Sequence, residues 1–203
     1  MRSIISLAIL CLSFAASAEG SARFDKLRAG AQTLSALGPF LEKYVGECPD
    51  LASRAECKAN AAAFRRESNG QRFYMLLGED SATMLAAGRS DSRKNEITLN
   101  ITPFFPAGPY ALTLGAPGRT DASGNPVMPL VYVRAQIPEG QTDASVARLV
   151  ATRALRLQVV FSPQEVWTLS KKGGGKILGV RAKIEAMRIS IGRSGDELAV
   201  WTG

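Results

Sequence analysis

The hydrophobic period of this chain changes from helical to alternating at Asn69-Gly70, and that change limits the folds open to it. Before it, Phe24, Leu27, Ala31 and Leu34 recur at spacings of three and four, one apolar face of a helix. Gly38-Pro39 interrupts this pattern, and Pro39 opens a second short helix that carries Phe40, Leu41, Tyr44 and Val45 and stops at Gly46. Ser53-Arg54-Ala55-Glu56 reads as a capping box for a further helix with Ala61 and Phe64 on its face, ended by Asn69-Gly70. After Gly70 the period is two. Strands are expected at 72–77, more weakly at 83–87, at 96–101 and at 131–137, with a helix from Thr142-Asp143 to Val150 between the later ones.

The last third reads as an antiparallel meander. Leu155, Leu157, Val159 and Phe161 alternate with Arg156, Gln158 and Val160, and 165–169 leads into a loop. In the returning strand Val180, Ala182, Ile184 and Ala186 share one face, and then Met187, Ile189 and Ile191 take the apolar positions. A slip of one residue would turn the core face outward, so a bulge or a switch between two faces is expected near Ala186-Met187. The fold class is α+β: an N-terminal α-helical hairpin, tied by a disulfide, over residues 19–70, packed on an antiparallel β-sheet of sandwich or half-barrel form over 71–203.

Residues 1–18, MRSIISLAILCLSFAASA, have a basic start, an apolar run and a small-x-small end at Ala16-Ser17-Ala18, the pattern of a signal peptide cleaved after Ala18. The run is shorter than the roughly 20 residues that span a bilayer. The expected location is therefore the periplasm or the extracellular space. Cleavage leaves Cys48 and Cys57 as an even pair in an oxidising compartment, where a disulfide is the default. One continuous helix would hold their Cα atoms about 13 Å apart, whereas a disulfide tolerates less than about 7 Å. The chain must fold back between them, and a loop at 48–52 before a helix starting at Ser53 allows that. The closed loop would contribute about 2.5–3 kcal/mol. The pair lacks CxxC spacing for redox chemistry and partner ligands for zinc.

Composition excludes more chemistry than it suggests. The chain has no histidine, so Ser-His-Asp and Cys-His catalysis and histidine-ligated metals are absent. No SxxK occurs, and no cofactor or metal is expected. Of 25 basic and 18 acidic residues only Arg2 falls in the leader, which leaves a net charge of +6. This excess is scattered rather than striped with aromatics, which argues against nucleic acid and leaves a weak attraction to anionic surfaces. Lys171-Lys172 and Gly173-Gly174-Gly175-Lys176 form a basic glycine-rich hairpin loop without phosphate-loop spacing. Asp121-Ala122-Ser123-Gly124-Asn125 has alternating oxygen ligands but no downstream bidentate Glu, and turn chemistry accounts for it. Asn100-Ile101-Thr102 matches a glycosylation sequon.

Six of the ten prolines fall between Thr102 and Pro129, so this segment reads as a long loop with at most a short strand at 110–114. Phe104, Phe105 and Tyr110 either pin it onto the sheet or form a binding surface for an apolar or aromatic partner. RFYMLLGEDSATML (72–85), TPFFPAGPYALT (102–113) and VVFSPQEVWTLSKKGGGKILGVRAKIEA (159–186) together resemble an uncharacterised family of exported proteins known mainly from myxobacteria. The resemblance implies a single exported domain and transfers no catalytic or binding residue. Three functional expectations follow. The first is a non-catalytic binding or structural protein of the cell envelope with an unidentified partner. The second is an apolar-ligand (lipid) carrier. The third is a hydrolase of envelope polysaccharide using Glu79-Asp80 and Asp196-Glu197.

Overall fold

A computed structural model describes residues 19–47, 53–77, 85–102, 104–113, 122, 131–170 and 174–203. The expected leader, Cys48, Glu79-Asp80 and Lys171-Lys172 lie outside the described residues.

The fold is built on one long hairpin. β8 (Leu155–Ser170) and β9 (Lys176–Ile191) are each 16 residues and pair antiparallel along their length. The expected strand at 155–161 and the expected segment at 165–169 are thus one strand. Two register shifts make this possible. Val160 pairs with Ala186 but Phe161 pairs with Ile184, so Glu185 is an extra residue on β9. Ile184 and Met187 are consequently both buried in the main core, while Ala186 joins Val160 on the opposite face. The change of phase in the sequence is therefore a bulge that keeps one core face continuous. The second shift lies between Pro163 and Val166. Proline suits a bulge because it has no N–H to give the ladder. The Gln164 carbonyl there accepts 2.7 Å from the Tyr44 hydroxyl.

Five more strands extend this hairpin into a seven-stranded sheet. Its order is β1 (Gln32–Thr33), β2 (Phe73–Leu77), β8, β9, β6 (Tyr110–Thr113) and β5 (Phe104–Ala107), with β10 (Glu197–Thr202) also on β9. β6 takes the outer edge of β9 at Leu178–Arg181, and β10 takes it at Ala186–Ser190. β1 on β2 and β6 on β9 are parallel, so the sheet is mixed rather than purely antiparallel. A three-stranded antiparallel sheet, β3 (Leu85–Asp91), β4 (Glu96–Ile101) and β7 (Val131–Gln136), packs its apolar positions against the same core. β4 alternates as its sequence predicts, with Ile97, Leu99 and Ile101 buried.

The helices take both faces of the large sheet. α1 (residues 19–29) lies on the outer face. α2 (Leu37–Val45) lies on the inner one, with α3 (Arg54–Ser68) against it. The helical hairpin is therefore α2–α3, and α1 is separate from it. Phe40 of α2 stands at ring-centroid distances of 4.8 Å from Phe73, 5.8 Å from Phe64 and 5.9 Å from Phe161. Offset and edge contacts of this kind add to area burial. Gly46 ends α2 in the left-handed conformation, φ +72°, and a Cβ there would run into Ala61 of α3. Ser53 occupies the N-cap of α3, but in helical rather than extended conformation and without the expected side-chain cap. α4 (Asp143–Ala151) does have a capping box, between Thr142 and Ser145, and it buries Val146 and Val150.

α1 is held on the outer face by a small apolar cluster and one arginine. Phe24 is fully buried with Tyr74, Val160 and Ala186. Arg188 of β9 lies over the Phe24 ring at 4.2 Å, contacts Asp25 at 2.9 Å and Glu197 at 2.8 Å, and donates to the Ser21 carbonyl at 3.2 Å. The hydrogen bond from Arg188 holds the Asp25 carboxyl below its ordinary 3.8. A depressed folded value contributes stability that is present above the unfolded pKa and lost as pH falls through the folded one. The contribution is small because the carboxylate is 58% exposed. Protection factors of the 19–29 amides, taken relative to intrinsic exchange at each pH, should fall as pH is lowered through that window, before those of the β8–β9 amides respond. Arg188→Gln should remove the difference.

Trp167 gives a second test. It faces Gly179 directly across the hairpin and donates its indole N–H to Thr113 at 2.9 Å. A Cβ at Gly179 would run into the indole. Gly179→Ala should cost about 1–3 kcal/mol and lower the thermal midpoint by about 2–4 °C per kcal/mol. An unchanged midpoint would refute this packing.

Candidate functional site

The residues expected to carry function are dispersed. Phe105 is 2% exposed in the main core, so its ring anchors the segment and offers no binding surface. Tyr110 packs half-buried against the same core, and burial raises its hydroxyl above 10.0. Phe104 belongs to β5, but its side chain is outside the described residues. The expected proline loop is at this end a hairpin, because Pro106 sits in an edge strand whose outer side needs no donor. Lys176 is exposed at the start of β9, opposite Ser170. Cys57 lies in the first turn of α3. Of Asp121–Asn125 only Ala122 is described.

A different set of residues converges. On the outer face of the large sheet the β2, β8 and β9 side chains form rows. The row Tyr74, Val160 and Ala186 is covered by α1. Gln158 accepts from the Tyr74 hydroxyl at 3.1 Å and borders that cover. The register places Leu76 directly opposite Gln158 and, one row further, Arg156 opposite Ser190. α1 does not reach this end, and Leu76 remains 50% exposed.

The open end is walled by two connections. α4 closes in a Schellman arrangement: the Arg153 N–H bonds Val150 O at 3.1 Å, and the Ala154 N–H bonds Leu149 O at 2.9 Å. Arg153 occupies its left-handed position at φ +57°, where glycine is usual. The turn after β9 meets it, with the Gly192 N–H on Ala154 O at 2.7 Å. A Cβ at Gly192 would lie 2.9 Å from that oxygen and 3.5 Å from Arg156 Nε. Only glycine brings the two backbones this close, and Arg193 follows it.

The result is a cleft of about 670 Å³ with Arg153, Arg156 and Arg193 on its rim and Leu76, Leu149, Leu155 and Ile191 as apolar walls. No aspartate, glutamate or aromatic ring lines it among the described residues. The three guanidiniums are exposed and make no salt bridge or side-chain hydrogen bond among the described residues. The favourable field of the α4 C-terminus accounts for one cation, Arg153. It does not account for Arg156 and Arg193, which come from other elements. Sequence reading assigns Arg156 to the wet side of its strand but has no means of seeing that a helix end and a turn bring two more arginines beside it.

Among the described residues, two sheets and three helices share one core, a fourth helix lies on the outer face, and an arginine-lined cleft opens at the uncovered sheet end; these define an α+β protein with an anion-compatible surface site. By sequence the chain belongs to the family of unknown function DUF6066, whose model covers residues 1–203. No curated protein and no solved structure matches the chain. Among the described residues no helix is long and apolar enough to cross a membrane.

Proposed function

We propose that this is an exported, non-catalytic binding protein of the cell envelope whose site is the cleft at Arg153, Arg156 and Arg193. The observation that carries the reading is three guanidiniums of one sign, contributed by three separate elements and unneutralised among the described residues. Such an arrangement attracts anions and offers planar donor forks suited to phosphate or carboxylate. Export is supported by the leader-like residues 1–18. The lipid-carrier reading has less support, because the space between α2, α3 and the sheet is filled by Phe40, Tyr44, Phe64, Phe73 and Phe161. The hydrolase reading has less support too, since Glu197 is engaged by Ser21 and Arg188.

Titration with inorganic phosphate, followed by backbone amide shifts, tests the site. Saturable shifts are expected at Arg153, Arg156 and Arg193 and not at Lys176. Arg156→Gln/Arg193→Gln should weaken the effect at least tenfold. Shifts spread evenly over the basic surface would refute the assignment.

The Cys48–Cys57 disulfide belongs to the same proposal. Gly46 sits so close to α3 that its Cβ would be 3.1 Å from the Cys57 carbonyl. Cys48, two residues on, is within about 7.6 Å of the Gly46 Cα. Alkylation of the mature protein without reductant should label neither cysteine, and both should be labelled after reduction. Labelling of both before reduction would overturn the pairing and remove a main support for export.

A further inference from the structure

We infer that the cleft takes an alkyl phosphate: a phosphoryl head held by Arg153, Arg156 and Arg193, with an aliphatic chain lying against Leu76 along the uncovered end of the large sheet. This rests on the anion-binding reading above and goes further, by naming the chemistry of the ligand on both sides.

The first step concerns the head. One bidentate guanidinium satisfies a carboxylate, whereas three arginines from an α4–β8 connection, a strand and a turn present more donors and charge than a carboxylate can use. A phosphomonoester carries about 1.5 to 2 negative charges at pH 7 and three acceptor oxygens. It matches the donor set in number and in charge.

The second step concerns what fills the rest. A phosphate ion alone occupies a small part of about 670 Å³, and the remaining walls are Leu76, Leu149, Leu155 and Ile191. Leu76 is one of two large apolar side chains left strongly exposed among the described residues, and it stands on the same face as the cluster that α1 covers. An exposed leucine beside unpaired arginines favours a ligand with an apolar part next to its charge. A nucleotide fits less well, since the lining has no aromatic side chain on which a base could stack.

The third step concerns shape. Gly192 packs onto Ala154 and so fixes the spacing between Arg193 and the Arg153–Arg156 segment. The backbone that carries the three arginines is therefore held at a fixed spacing, while the Leu76 side stays open along the sheet. That geometry admits chains of different length attached to a common head.

Calorimetric titration with ethyl, butyl and hexyl phosphate, and with hexanol, tests the inference on the full mature chain. Affinity should rise by up to about fourfold for each methylene that becomes buried, and hexanol should not bind. Arg156→Gln/Arg193→Gln should weaken all three phosphates at least tenfold. Leu76→Ser should leave ethyl phosphate within about twofold and flatten the dependence on chain length. Equal affinities for ethyl and hexyl phosphate, or a chain-length dependence that survives Leu76→Ser, would overturn the alkyl-phosphate assignment. In either case arginine-dependent binding of ethyl phosphate would leave the anion-binding reading standing. Failure of every phosphate to bind would remove both. Co-sedimentation with phosphatidylcholine vesicles, with and without phosphatidic acid, separates the sources. Arginine-dependent binding to the acidic vesicles supports a membrane lipid, and binding of the soluble alkyl phosphates alone supports a free one.

Discussion

The extra residue at Glu185 is the constraint on which the architecture turns. A 16-residue strand that pairs along its whole length must keep its apolar side chains on one face, and a single slip inverts every one beyond it. With Glu185 looped out, Ile184 and Met187 both enter the common core, and the hairpin serves as one continuous wall for two sheets and three helices. The same bulge sends Ala186 to the other face, where it joins Val160 under α1. One local irregularity therefore creates both the main core and the seat of the N-terminal helix.

That seat is narrow, and its narrowness matters for function. α1 covers the cluster of Tyr74, Val160, Ala186 and Val200 and is fastened through Phe24, Asp25 and Ser21 to Arg188, which Glu197 of β10 also contacts. Arg28 lies over Tyr74 at 4.7 Å, near the end of that cover. The large sheet is longer than this helix can hide, so Leu76, opposite Gln158, and Arg156, one row further, stay in water. Two connections that the core holds in place, the α4 end and the 192–196 turn, then add a wall each. The cleft is a consequence of a sheet longer than its cover, and its charge comes from guanidiniums that make no salt bridge or side-chain hydrogen bond among the described residues.

Much of the architecture was legible locally. Ile97, Leu99 and Ile101 alternate because one face of β4 meets water, and Thr142 precedes α4 because its side chain caps the helix. Gly46 ends α2 because it alone adopts the required conformation so close to Ala61. Less was legible where partners are distant. β1 is only two residues long and exists through pairing with β2, so it has no period of its own. The proline-rich segment looked irregular, yet Phe105 enters the core and Pro106 is tolerated at an open edge. α1 was expected within the helical hairpin of 19–70 because apolar spacing reports that a face is buried, not which side of a sheet buries it.

The sequence alone was sufficient for the class of fold, the positions of most helices and strands and the need for either a bulge or a switch of faces near Ala186, because periodicity, capping and turn chemistry act over a few residues. It was sufficient also to exclude histidine chemistry. Tertiary structure decided that Phe105 and Tyr110 pack on the core, that the first helix stands apart from the α2–α3 hairpin, and that Arg153, Arg156 and Arg193 share a cleft. Those facts depend on contacts between segments up to 180 residues apart. Such contacts follow from how the whole chain packs, and no local pattern encodes them.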